Sequence, residues 1–308
     1  MRLAVEVVRA TNRYPRGRPR DEPLPAEVVN AMKPYPPIPS ISEVPDLLEG
    51  GHLWLQEYVD GAPLRVRLES SGAIVAGDAD RPFERDAVPV HYRRAVTHVR
   101  NELDRDALRR AVPDVSSVVF FGVATCRRRM DYDWERLPPY LGHDVWSATD
   151  DSFLPPDTVE KIFERLGLAP APAIAKELRA VDFDPEGYDF PASRWADGPV
   201  AGVIVRNKRG GRAKVVHPDL DREPERFPPD ATAESLVDER ATEPRLDRLA
   251  TELEREGWPV TPETLFDRAL SALARELGPA AFEDGPIDEA AFRDAVAART
   301  SRYLAARD

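Results

Sequence analysis

Cysteine is almost absent from the sequence: Cys126 stands alone among 308 residues. A single thiol excludes an intrachain disulfide and argues against a cysteine-based structural zinc site. Histidine is also scarce, and His52, His91, His98 and His217 show no metal-ligand spacing, so no metal site is expected. Lysine is rare: Lys33, Lys161, Lys176, Lys208 and Lys214 are the five among 43 basic residues. No apolar run approaches the roughly 18 residues that span a bilayer, so no membrane partner is expected. The segment from Met1 to Val8 carries no apolar core followed by a small-residue cleavage site. The sequence therefore predicts no secretory signal and a cytoplasmic protein.

What is present is apolar content sufficient for a core, at 42%, and a large acidic excess with 31 prolines. The formal net charge is −12, unevenly spread. From Asp219 to Asp308 there are 22 acidic and 12 basic residues, a net of −10, whereas Met1 to Pro218 is nearly balanced. Acidic composition with arginine far above lysine fits a salt-adapted, halophilic-type protein. Acidity of that origin does not argue against a nucleic-acid partner.

Along the chain, residues 1–31 read as an N-terminal arm. Met32-Lys-Pro-Tyr-Pro-Pro-Ile-Pro39 is excluded from helix by its prolines and reads as an extended strap. His52 to Val59 is strand-like and ends at Asp60-Gly61, a strong turn signal, after which Leu64 to Leu68 alternates with period two. This pattern predicts a β-hairpin, with a third strand at Ala73–Ala76. Val88 to Val112 has helical spacing. Val115–Gly122 and Tyr140–Trp146 read as strands, Pro155–Leu166 as a helix closed by Gly167, and Val200–Arg206 with Ala213–Val216 as a strand pair around Gly210-Gly211. After Pro218 the character changes: a linker over Pro224–Pro229, then three helices, Arg245–Glu256, one opened by Thr261-Pro262 and closed by Gly278, and Ile287–Ala306. A domain boundary near residue 220 follows, giving domains over 32–220 and 221–308.

Three strand-linked segments lie in order: Glu57-Tyr-Val-Asp-Gly61, Phe120-Phe-Gly122 and Ala201-Gly-Val-Ile-Val205, with Arg212-Ala-Lys-Val-Val216 after the last. Between them runs Asp131-Tyr-Asp-Trp-Glu-Arg-Leu-Pro-Pro-Tyr-Leu-Gly-His-Asp-Val-Trp146, leading into Phe153-Leu154 and Leu166-Gly-Leu168. In this order and over residues 32 to about 218, the chain resembles the ATP-dependent RNA ligases of the covalent nucleotidyltransferase superfamily. Their progression is Lys-x-Asp-Gly, Phe-Gly-Glu, Glu-Gly-Val and Lys-x-Lys. The resemblance implies an α+β fold, a nucleotidyltransferase core of antiparallel sheets with flanking helices, here followed by an acidic all-α tail.

It also implies a chemistry: a lysine amine attacks the ATP α-phosphorus with Mg²⁺ support, and the AMP then activates a 5′-phosphate RNA end for a 3′-hydroxyl. The carry-over is uneven. Tyr58 stands at the lysine position, Val123 and Ala201 replace two glutamates, and Arg212 replaces the first lysine of the last motif. Glu57, Asp60, Gly61, Gly122, Gly202, Asp144 and Lys214 match the pattern. His143 falls where an adenine-stacking aromatic is expected, and Arg65, Arg206 and Lys208 are added as candidate nucleotide contacts. A phenol forms no phosphoramidate, and its pKa near 10 makes it a poor nucleophile at neutral pH. The resemblance thus implies a catalytically reduced RNA-ligase-like protein that binds nucleotide or RNA ends, with ATP and Mg²⁺ binding weakened by Val123 and Ala201.

Two rival readings stay open. One is an active RNA ligase with a displaced nucleophile; the other is a protein-interaction scaffold with an empty cleft, using the acidic helical tail for a protein partner. Arg206 to Lys214 reads either as a phosphate-binding hairpin or as a charged tip, and Arg127–Arg129 as an RNA-phosphate track or a solvated loop. Trp54, Trp134, Trp146, Trp195 and Trp258 read as core rather than as stacking platforms.

Overall fold

The computed structural model describes residues 32–85, 87–220, 227–283 and 285–307. The N-terminal arm and the first part of the Pro224–Pro229 linker lie outside the described residues. Two antiparallel sheets carry the first two thirds. One has the strand order β7-β1-β8-β9, built from β1 (His52–Glu57), β7 (Ala173–Arg179), β8 (Gly202–Asn207) and β9 (Arg212–Val216). The other has the order β3-β2-β4-β5-β6, from β2 (Ala62–Leu68), β3 (Ile74–Gly77), β4 (Val118–Ala124), β5 (Tyr140–Ser147) and β6 (Ser152–Phe153).

The expected hairpin across Asp60-Gly61 does not form. β1 pairs with β7 and β8, and β2 pairs with β3 and β4, so Asp60-Gly61 carries the chain from one sheet to the other. Both edges of β1 are occupied by partners more than 100 residues downstream, which leaves none for its neighbour in sequence. Local turn chemistry was real but served a crossover. A Cβ on Gly61 would lie 2.5 Å from Val123 Cγ2 and 2.6 Å from the Ala124 carbonyl oxygen, so the residue must be glycine for β4 to approach.

The helix expected over Val88–Val112 is two helices, α1 (Val90–Glu102) and α2 (Arg105–Ala111). Leu103 is extended, and the Asp104 carboxylate caps α2 by accepting from Ala107 N, an N-cap that restarts the helix on a new axis. With α3 (Pro156–Arg165), α1 covers the outer face of the five-stranded sheet; Leu64, Val66, Phe120, Val96, Val99 and Phe163 form the core there. β7 was not foreseen from the sequence. It is an edge strand with largely half-exposed side chains, so it carries no apolar alternation.

The helices of the last third are α4 (Ala233–Arg240), α5 (Glu243–Arg255), α6 (Pro262–Leu277), α7 (Pro279–Phe282) and α8 (Glu289–Ala305). Three were expected. Of the two additional ones, α7 is a single turn, and α4 is short but capped reciprocally by Thr232 and Ser235. These helices enclose their own apolar core, which also takes in Val90 of α1. No helix of the described residues is long and apolar enough to cross a membrane.

Candidate functional site

Strand period decides which side chains face the cleft between the sheets. On the four-stranded sheet Leu53, Leu55, Val203, Val205 and Ala213 turn to a core with Ile41, Leu47 and Phe183. The alternate residues Ile204, Arg206, Arg212 and Lys214, with Ile204 opposite Lys214 and Arg206 opposite Arg212, face the other way. On the five-stranded sheet, β5 contains a bulge: Phe121 pairs with Asp144, but Gly122 pairs with Gly142, leaving His143 as the extra residue. A bulge re-aims side chains, and here two consecutive residues serve the cleft, His143 at its wall and Asp144 beneath it.

A cavity of about 470 Å³ results, within the size range of small-molecule sites. Tyr58, Gly61, Gly122, His143 and Lys214 line it together, drawn from five separate strands or their ends. The strap contributes Tyr35, Pro36, Pro37 and Ile38, and Val123 and Ile204 supply apolar wall. The strap's prolines were legible as extended chain, but nothing local showed that they roof a cleft. Tyr35 donates from its hydroxyl to Asp144 Oδ2 at 3.0 Å, and Arg212 Nη2 donates to the Pro36 carbonyl at 3.1 Å, holding the roof down.

Other sequence candidates sit elsewhere. Glu57, buried, faces away from Tyr58 and accepts from Ser193 Oγ at 2.7 Å; burial raises its pKa despite that bond. Ser193 had no sequence signal. Asp60 is buried under its loop, where its carboxylate accepts from Arg129 N at 2.8 Å and pairs with Arg129 Nη2 at 3.0 Å. Its own N–H donates to the Tyr132 hydroxyl at 2.9 Å. Arg65 is fully buried and clamps the strap, donating from Nη1 to the Met32 and Lys33 carbonyls, each at 2.8 Å. Gly202 lies behind Tyr58, whose N–H donates to its carbonyl at 3.0 Å; a Cβ there would meet the Val215 carbonyl oxygen at 2.5 Å. Lys208 pairs with Glu177 at 2.6 Å and Asp157 at 3.8 Å, at the far end of β8.

Arg206 and Arg212 are committed to one buried carboxylate. Arg206 Nη2 pairs with Asp144 Oδ1, and Arg212 Nη1 with Asp144 Oδ2 at 2.8 Å. Arg206 Nη1 also donates to the His143 carbonyl at 2.5 Å. Of the cations between Arg206 and Lys214, Lys214 is the one that lines the cavity among the described residues.

Two of the wall's titratable groups, Tyr58 and His143, are held neutral. Burial raises the Tyr58 phenol above its ordinary pKa, and the Asp60 carboxylate pushes it further in the same direction. Burial lowers His143 to about 4, so the ring is neutral at pH 7, and its Nδ1 is buried without a protein partner. A ring held neutral in the folded state, but free to protonate near 6.5 when unfolded, costs stability as pH falls between those two values. The loss approaches about 3 kcal/mol at pH 4, since each factor of ten in proton affinity is worth about 1.4 kcal/mol. His143→Phe removes this titration, so its melting temperature should gain on that of the unaltered protein as pH drops from 7 to 4. A constant difference across that range would show that the ring protonates freely in place.

The cleft does not offer a divalent-metal donor set. Val123 and Ala201 stand where two carboxylates are expected, Glu57 turns away, and Asp60 is held by Arg129. Asp80 is the one carboxylate on the cavity wall, and among the described residues no group of three or more His, Cys, Asp or Glu side chains is placed to hold a metal. The protein side chains alone do not make a Mg²⁺ site; an ion there would be held by Asp80 together with a bound nucleotide's phosphates.

No protein-family model matches the chain, and no curated protein matches it. Among solved structures the chain is similar to an RNA ligase of Naegleria gruberi with PPi, at 11% identity and a TM-score of 0.45, covering 63% of this chain and 61% of that one. A mutant of that ligase with ATP and Mn is similar at 11% identity and a TM-score of 0.45, covering 60% and 56%. Another mutant, with AMP and Mn, is similar at 12% identity and a TM-score of 0.44, covering 59% and 55%. The chain thus spans about three fifths of the length of the solved ligases it resembles.

Proposed function

We propose that this is an RNA-ligase-like protein whose inter-sheet cleft binds an adenine nucleotide, and RNA ends with it, without forming the lysyl adduct that starts ligation. The single observation that carries this reading is Tyr58 on the cavity wall, at the motif position of the attacking amine, with its pKa raised by burial. A phenol in that state presents almost no phenolate at neutral pH, so attack on an α-phosphorus is suppressed. Binding is supported separately. Apolar walls at Ile38, Val123 and Ile204 suit a nucleobase, the neutral His143 ring offers a flat face, and Lys214 supplies one cation for phosphate.

Incubation with α-labelled ATP and a divalent metal should leave no covalent label on the protein after denaturing electrophoresis at neutral or alkaline pH. Millimolar ATP should nonetheless raise the melting temperature by several degrees, since a hundred-fold excess over Kd adds about 2.7 kcal/mol. Absence of any shift would leave the scaffold reading, with an empty cleft, in place of this one.

A second reading has one observation in its favour: Lys214, a primary amine, lines the same cavity as Tyr58, and no ion pair engages it among the described residues. In that case Lys214 Nζ bonds to the α-phosphorus and pyrophosphate leaves. Label that is acid-labile but alkali-stable, as a phosphoramidate is, that maps to a Lys214 peptide and that is lost in Lys214→Arg, would establish it over the first.

A further inference from the structure

A second cavity lies on the opposite side of the five-stranded sheet, between α1 and α6, and its charge is the reverse of its surroundings. The chain from Asp219 onward carries a net −10, yet this cavity of about 410 Å³ is lined by Arg85, Arg93, Arg94, Arg100 and Arg268, with Asp267 the one acidic side chain on its wall. Arg93 pairs with Glu289 at 3.1 Å, Arg94 with Glu252 at 3.4 Å, and Arg268 with Glu252 at 3.2 Å and with Glu256, and Arg100 is engaged as well. A guanidinium has five donors, so such pairing orients each fork and still leaves N–H groups for an incoming anion.

Trp258 stands at the rim, 49% exposed; among the described residues, Val181 and Val216 are the only other large hydrophobic side chains left exposed. Its place is set by the end of α5. Gly257 takes φ +81°, its N–H donates to the Glu254 carbonyl, and the Trp258 N–H donates to the Leu253 carbonyl at 2.9 Å. This is the paired-bond helix terminus in which glycine alone is relaxed, and it fixes the indole's base while leaving its face bare. The cavity continues past the indole into a second opening, sharing Arg100, Asn101 and Trp258. The arginines therefore lead up to an exposed indole, beyond which Glu102 and Glu256 line the second opening with Arg100.

An inorganic anion or an acidic peptide would use the arginines but not the bare indole. A strand that alternates phosphates with flat rings uses both. We propose that this groove binds single-stranded nucleic acid, one base stacking on Trp258 and the flanking phosphates meeting Arg85 and Arg100. The site extends the nucleotide-cleft reading and does not depend on it.

The test is fluorescence anisotropy with labelled ten-nucleotide oligouridylate and oligothymidylate over a range of salt. Binding should weaken steeply with salt, Trp258→Ala should lose roughly ten-fold in affinity, and Trp258→Phe should recover most of it. Arg85→Ala with Arg100→Ala should flatten the salt dependence. Tighter oligouridylate binding assigns the site to RNA, and equal binding to single strands generally. The ATP-induced thermal shift, measured on the same Trp258→Ala protein, separates this groove from the cleft. Loss of oligonucleotide binding with the ATP shift retained supports the groove, as does Trp258-dependent binding in a protein that shows no ATP shift at all. Unchanged affinity in Trp258→Ala, absence of oligonucleotide binding, or equal loss of both signals would overturn the proposal.

Discussion

Replacing Asp144 with alanine should destabilise the protein by about 3–5 kcal/mol, because it strands two arginines in the interior. Asp144 is 2% exposed and Arg206 4%, so neither charge has water to fall back on. The carboxylate joins the two sheets: it sits on β5, while Arg206 and Arg212 sit on neighbouring β8 and β9, directly opposite one another. Its removal also frees the Tyr35 hydroxyl, and with it one of the ties that hold the strap over the cleft. Asp144→Asn keeps the shape and one acceptor, so its loss should be smaller. Urea unfolding measures both. A loss under about 1 kcal/mol for the alanine variant would mean that water enters and screens the arginines.

The second large effect is expected at Arg275, which fastens the helical segment to the five-stranded sheet. It projects from α6 into the connection between β4 and β5, buried, and donates to four carbonyls, the longest contact being Nη2 to Pro138 O at 3.3 Å. Nε reaches Thr125 O at 2.6 Å, Nη1 reaches Trp134 O at 3.0 Å, and Nη2 reaches Leu137 O and Thr125 Oγ1, both at 2.7 Å. The backbone adds a reciprocal bond, Arg127 N to Arg275 O at 2.9 Å. Each buried acceptor left unpaired costs about 1–3 kcal/mol, so Arg275→Met should lose at least 3 kcal/mol or so. Arg275→Lys should recover under half of that, since an ammonium cannot reach four carbonyls in the plane of a fork. Limited proteolysis should then cut first in the helical segment. Equal stability of the lysine and arginine proteins would show that charge, not geometry, makes this joint.

Of the residues picked out by motif spacing, Tyr58, Gly61, Gly122, His143 and Lys214 line one cavity. The same spacing was a poor guide to Arg206, Arg212 and Lys208. A run of five cations in nine residues looks like a phosphate site when read along the chain. In space its members diverge, because alternate residues leave a strand on opposite faces and because a buried Asp144 from the other sheet claims two of them.

The sequence alone determined the strands with clear period-two or apolar runs, the capped helix after Thr261, and the phenol of Tyr58 just before the Asp60-Gly61 turn. These depend on neighbours within a few residues: a cap, a turn, a repeat. Only the tertiary structure decided that β1 and β2 part at Asp60-Gly61 into different sheets, that Glu57 turns away from the cleft while a bulge turns His143 toward it, and that Trp258 remains uncovered. Each of those outcomes is set by partners from distant parts of the chain, or by the lack of one, and no local pattern encodes which distant strand will claim an edge or which helix will leave an indole bare.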